Sequence, residues 1–199
     1  MRLLGLILLA GVLVGTVGWG SDQGPRVVQW SSAISAVWLV GAFAAGAFAG
    51  GRARAAVAGA GTIVVGVATY YVLFHFASDT LGLRYSVVVG VAWATLGVGI
   101  GAVLGWAGDA WRRRGRALGV ALLAGAMAGE AILLLGEWHN RAARAVLMAE
   151  LVAGAALPYL LARPKLARTI SLTCAVAVAV VVAESGVRDV MRAAGWAGA

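Results

Sequence analysis

Acidic side chains are scarce in this chain: eight Asp and Glu stand against sixteen Lys and Arg, and charged residues make up only 12% of its 199 positions. A soluble domain carries about 25% charged residues, so this chain lacks the polar side chains that would clothe a water-facing surface. Its single cysteine, Cys174, lies in an apolar run, which excludes an intramolecular disulfide and suggests no metal cluster. The two histidines, His75 and His139, have no paired spacing and make no recognisable metal site. No Ser/His/Asp constellation, no H-E-x-x-H pair and no P-loop is present. The strict apolar/polar alternation of a transmembrane β-barrel is missing too.

What is abundant is apolar. Hydrophobic residues make up 62% of the chain, and the mean hydropathy is +0.91. This composition predicts an integral membrane protein, all-α, built as a polytopic helix bundle in a single transmembrane domain over residues 1–199. Seven stretches approach the roughly 20 apolar residues a spanning helix needs: 3–19, 30–50, 55–77, 86–108, 117–136, 145–162 and 169–186. The breaks between them, such as "GSDQGPR", "GGRAR", "DAWRRRGR" and "ARPKLAR", hold the polar and turn residues. Were the first stretch a cleaved signal peptide, six spans would remain in the same orientation.

The net charge of +8 would suggest nucleic acid in a soluble protein. Here it is read as cationic loops that orient helices and meet anionic lipid headgroups, with no nucleic-acid partner. One set of span ends holds ten basic residues (Arg2, Arg52, Arg54, Arg112, Arg113, Arg114, Arg116, Arg163, Lys165 and Arg168), and the other holds six. By the positive-inside rule the richer set is cytoplasmic. The N-terminus is then inside and the C-terminus outside, in a bacterial inner (plasma) membrane. Trp19, Trp30, Trp106, Trp111 and Trp138 fall near span ends, where interfacial aromatics belong.

Small residues recur on helical ridges. Gly97, Gly101 and Gly105 are spaced by four, preceded at the same interval by Gly90 and Ala94, and Ala42, Gly46 and Gly50 repeat the pattern. Such ridges let helices approach closely in lipid, within the chain or toward a homo-oligomeric or other membrane partner. "GVGIGAVLG" is not a nucleotide-binding loop, because it lies inside a span instead of between a strand and a helix.

Polar residues gather at one level. Glu130 lies six residues before the end of the fifth span, and Glu150 six residues after Arg144, where the sixth turns back. At 1.5 Å per residue both sit roughly 9 Å below the same surface, in an antiparallel hairpin where they can face one another. Tyr71, His75 and Asp79 near the end of the third span, Ser32 and its neighbouring serines opening the second, and Glu184 closing the seventh join them at that level. A carboxylate in the bilayer core costs several kcal/mol unless paired, protonated or wetted. The gathering therefore predicts an outward-opening polar pocket lined by Glu130, Glu150, His75, Tyr71, Ser32 and Glu184. The competing reading has Glu130 and Glu150 pair with Arg141 or Arg144 to lock the hairpin. Asp109 is expected to pair with the adjacent arginines.

On "SAVWLVGAF" (35–43), the "AGE" that ends at Glu130, and "ELVAGAALPYLLAR" (150–163), the chain resembles an uncharacterised family of small multi-pass bacterial membrane proteins, over most of its length. That resemblance implies a membrane bundle and brings no activity with it. With seven spans and intramembrane acids the chain is also similar to the small membrane-bound terpene cyclases, whose carboxylates protonate an alkene or epoxide, although none of their acidic motifs aligns here. Three functions follow. The first is binding or translocation of a small, mostly apolar or amphipathic solute from the outer face. The second is an enzyme using Glu130 or Glu150 as general acid on a lipid or isoprenoid substrate, and the third is an accessory subunit. None requires a cofactor.

The orientation is testable with cysteines introduced singly and labelled in intact cells. Positions 138–140 should react with an impermeant thiol reagent and positions 112–116 should not; the opposite pattern would invert the topology.

Overall fold

In lipid every backbone N–H and C=O must be satisfied within the protein, so long apolar runs fold as helices. The computed structural model describes residues 2–23, 36–77, 83–133, 135 and 141–193. They form seven α-helices and, among the described residues, no strand: α1 (Arg2–Asp22), α2 (Ala36–Phe48), α3 (Arg52–Ala77), α4 (Leu83–Arg114), α5 (Ala117–Leu133), α6 (Arg141–Leu161) and α7 (Leu166–Ala193). A 3-10 turn at Arg163–Lys165 joins the last two. Five of the helices, α1, α3, α4, α6 and α7, are long and apolar enough to cross a membrane. About seven spanning helices were expected, and seven α-helices are present among the described residues. Within the described residues α2 and α5 have only 13 and 17 residues and fall short of that length.

Glycine shapes two of the connectors. Gly50 (φ 80°) stands between α2 and α3, and Gly115 (φ 53°) between α4 and α5, both in the left-handed region that a Cβ disfavours. Gly50 therefore makes the turn and does not continue the ridge begun by Ala42 and Gly46, as its spacing had suggested. Three connectors meet at the arginine-rich end. The Arg112 guanidinium lies 4.0 Å from the centre of the Phe48 ring, and Lys165 Nζ donates to the Gly115 carbonyl at 2.8 Å. Trp111 Nε1 donates to the Leu161 carbonyl at 3.3 Å. α6 runs through Pro158, which is fully buried.

The core is made by α2, α3, α4 and α5, with Leu39, Phe43, Ile63, Val67, Leu104, Leu123 and Met127 packed together. α5 is buried around most of its circumference. α1, α4 and α7 instead turn large apolar side chains outward, among them Leu9, Leu13, Trp93, Leu96, Ile100, Val178 and Val182. Surfaces of this kind suit a hydrocarbon surround and mark a membrane-embedded bundle.

The glycine ridges hold the bundle together. A Cβ on Gly105 would collide with the Ala55 carbonyl of α3, one on Gly59 with the Gly101 carbonyl, and one on Gly46 with Gly105 itself. α2, α3 and α4 thus meet backbone to backbone at one junction. Gly108 packs in the same way on Phe43, and Gly119 brings α5 onto Ala107 and Trp111. α1 docks on α3 through Gly11, Gly15 and Gly18, which meet Val65, Gly66 and Thr69, and Trp38 of α2. The ridge on α4 therefore faces helices of its own chain.

A Cβ at Gly101 would stand 2.7 Å from the Gly59 carbonyl oxygen and 2.8 Å from Ile63 Cγ1, whereas one at Gly99 would meet nothing within 4 Å. Gly101→Leu should destabilise the protein by about 1–3 kcal/mol or more, the range for overpacking a filled core. Gly99→Leu should leave it folded. Thermal melting of both variants in one detergent checks this, and equal melting temperatures would mean the seam does not form.

Candidate functional site

Two polar centres emerge, and the expected site residues divide between them. The first lies on the α5–α6 hairpin. On α6 the buried positions are Val146, Leu147, Glu150, Gly154 and Pro158, a single helical stripe facing α5. Gly154 packs on Ala124 and Ala128, which sets Glu150, one turn earlier on an antiparallel neighbour, near the level of Glu130. Both glutamates are buried, Glu150 to 3% exposure, and the two carboxyls act on one another electrostatically. Both Glu150 oxygens lack a hydrogen-bond partner. Arg141 and Arg144, expected as caps, are exposed. Across from this pair, Gly125 and Gly129 of α5 pack on Val176 and Val180 of α7.

The second centre is a groove between α3 and α4 with a volume of about 590 Å³. Its lining includes Val64, Val67, Val72, Phe76, Leu83, Val87 and Val91, and its polar members are Tyr71, His75 and Ser86. Val72, Phe76, Leu83, Val87 and Val91 are exposed, so the groove opens sideways from the bundle. The volume is within the usual range for small-molecule sites, about 300–1,000 Å³. Tyr71 is held edge-on by Tyr70, whose ring centre lies 5.1 Å away, and Tyr70 in turn donates from its hydroxyl to Asp22 at the end of α1. The His75 ring contacts Phe76 at 5.5 Å.

The groove thus contains Tyr71 and His75, while Glu130 and Glu150 belong to the hairpin and are not among its lining residues. Ser32 lies outside the described residues, as does the side chain of Glu184. Ser86 was missed, because a lone serine early in an apolar helix gives no signal in sequence. Asp109 was expected at the interface beside its arginines. It is fully buried, with Arg113 Nε 3.7 Å from Oδ1 and Arg114 Nη2 3.6 Å from Oδ2. No cluster of three or more His, Cys, Asp or Glu side chains able to hold a metal occurs among the described residues.

A family model matches residues 1–192, nearly the whole chain, and its description is a family of unknown function, DUF6518. The chain belongs to that family. No curated protein and no solved structure matches it. The family brings a shared sequence pattern and no assigned chemistry, so any activity must be argued from the two centres themselves.

Glu150 offers a direct test of what its carboxyl does for the fold. A buried polar group without a partner costs about 1–3 kcal/mol. Glu150→Leu should therefore raise the melting temperature in detergent. A fall would show that the carboxyl locks the hairpin, as the competing expectation has it.

Proposed function

We propose that this protein is a multi-pass membrane protein that binds, and passes on or across the membrane, a small, mostly apolar solute held in the groove between α3 and α4. The observation that carries the proposal is the groove itself: a volume of about 590 Å³ with an almost entirely apolar lining and few polar groups, Tyr71, His75 and Ser86, at its walls. An apolar site with a small number of placed polar groups is the usual build of a ligand pocket. The sideways opening lets a solute enter from the lipid. The excess of arginine at the other end of the bundle supports placing the groove toward the outer face of a bacterial plasma membrane.

A second reading is supported by one observation, the buried Glu150 carboxyl beside Glu130. A carboxylic acid in an apolar enclosure can serve as a general acid, which would suit a membrane-embedded enzyme acting on a lipid or isoprenoid. Because neither glutamate lines the groove, this reading needs a substrate path of its own between α5 and α6, and it ranks second.

The first reading is tested with purified protein in nanodiscs titrated with a brominated alkane, which quenches tryptophan fluorescence. Specific binding should saturate, and Ala68→Phe combined with Ala94→Phe, which fills the groove from both walls, should abolish the saturable part. Quenching that rises without saturation, identical in the filled variant, would sink the proposal.

A further inference from the structure

We propose that the α3–α4 groove selects a long-chain alcohol, with the apolar chain lying along the groove and the hydroxyl held between His75 and Ser86. This rests on the groove being a ligand site, as argued above, and names the chemistry it recognises.

Two observations carry it. Nδ1 of His75 and Oγ of Ser86 are both buried and both without a hydrogen-bond partner, and both residues line the same groove. Ser86 is 4% exposed. Ser21, Thr69, Thr95, Thr169 and Ser171 donate back to the carbonyl four residues earlier. Ser86, in the first turn of α4, has no carbonyl of its own helix at that spacing, and like Thr62 and Thr173 its hydroxyl has no partner. Buried polar atoms in proteins are usually paired, and of those without a partner among the described residues His75 Nδ1 and Ser86 Oγ are the two that line this groove, which points to a partner supplied from outside the chain.

The second observation is register. Along the α3–α4 seam Gly105 meets Ala55, Gly101 meets Gly59, Gly97 meets Ile63 and Gly90 meets Tyr71. Continued by one more turn, that antiparallel register sets Ser86 level with His75. The two orphaned atoms thus stand at one depth on opposite walls. A hydroxyl can serve both, donating its proton to the imidazole nitrogen while accepting from the serine.

The rest of the lining fixes the remainder of the ligand. Among the described residues no Lys or Arg lines the groove, so a phosphate or carboxylate head inside it would meet no cation of the lining, at a heavy desolvation cost. From Ser86 the α4 wall continues through Val87, Gly90 and Val91 to Ala94, roughly 12 Å of helix at 1.5 Å per residue. Gly90 lets Tyr71 pack directly against the α4 backbone, since a Cβ there would stand 3.1 Å from the Tyr71 ring.

The test uses the intact protein in detergent, with dodecanol and dodecane as probes and native mass spectrometry to count bound molecules. Two hydrogen bonds to otherwise orphaned groups should make dodecanol bind at least about tenfold more tightly than dodecane. Ser86→Ala and His75→Phe should each erase most of that preference and leave dodecane binding unchanged. As a second readout, histidine 15N spectra of His139→Gln, whose one remaining imidazole is His75, should shift with dodecanol and not with dodecane. Equal affinity for the two probes, with both displaced by Ala68→Phe/Ala94→Phe, would overturn the alcohol preference and leave the groove as a general apolar site. Binding of both probes unaffected by that filled variant would overturn the ligand site itself. A dodecanol preference that survives in Ser86→Ala and His75→Phe would also overturn the proposal, by placing the hydroxyl elsewhere.

Discussion

The contact on which the rest of this structure depends is the backbone junction of α2, α3 and α4 at Gly46, Gly59 and Gly105. Lipid tails are as apolar as leucine, so helices in a bilayer gain little by hiding apolar side chains from their surroundings. They associate instead through dispersion, which each atom pair contributes only in tenths of a kcal/mol and only at close range. Removing every Cβ at the junction brings three backbones into that range at once. Gly108 and Gly119 extend the same device from α4 to α2 and α5. The helix with the most exposed apolar residues, α4, is in this way also the helix against which α2, α3 and α5 are aligned.

Fixing that seam at one end sets what happens at the other. Ala55, Gly59 and Ile63 on α3 pair with Gly105, Gly101 and Gly97 on α4, and the small-residue seam then gives way to Tyr71 against Gly90. Beyond this point the facing side chains enclose the groove. Since α3 and α4 cannot slide without driving a side chain into a carbonyl, His75 and Ser86 are held level by contacts more than two turns away. α1 adds to this support from behind: its Asp22 accepts the Tyr70 hydroxyl, and Tyr70 backs Tyr71. The groove is therefore built on rigid elements, with each of its described polar residues on a helix.

The helices were legible in the sequence because the length of an apolar run and the position of its polar breaks are direct consequences of bilayer thickness. The similar depth of Glu130 and Glu150 follows from a like count, since position along a hairpin can be read in residues and Gly154 packs on Ala124 and Ala128. The partner of each glycine ridge was not. A small-residue stripe states that something comes close without saying what, and only the fold assigned α3 to Gly97 and Gly101. Ser86 was invisible because what sets it apart from Thr62 and Thr173, whose hydroxyls are also unpartnered, is its place on the groove. Asp109 pairs with its neighbouring arginines as expected, and only its full burial was not legible, because that follows from Gly108 packing this turn of α4 against Phe43 and Ala47. Ser32 and Glu184 carry expectations on which the described side chains do not bear.

The buried acids of this chain are not alike, and the difference bears on why it keeps them. Asp109 has two guanidinium groups within 3.7 Å, so its burial is compensated by neighbours that the arginine-rich end supplies in any case. Glu150 has a carboxyl beside it and no hydrogen-bond donor, an arrangement that stability alone would replace with leucine. The hairpin that holds it is not isolated from the groove. Val67 lines the groove and packs in the same core cluster as Met127, which lies one turn before Glu130 on α5. Tyr71 packs against that cluster as well. A solute bound in the groove as proposed would lie against Val67 and Tyr71, which also belong to or touch the cluster that includes Met127. The core that gives the bundle its shape thus also runs without a break from one centre to the other.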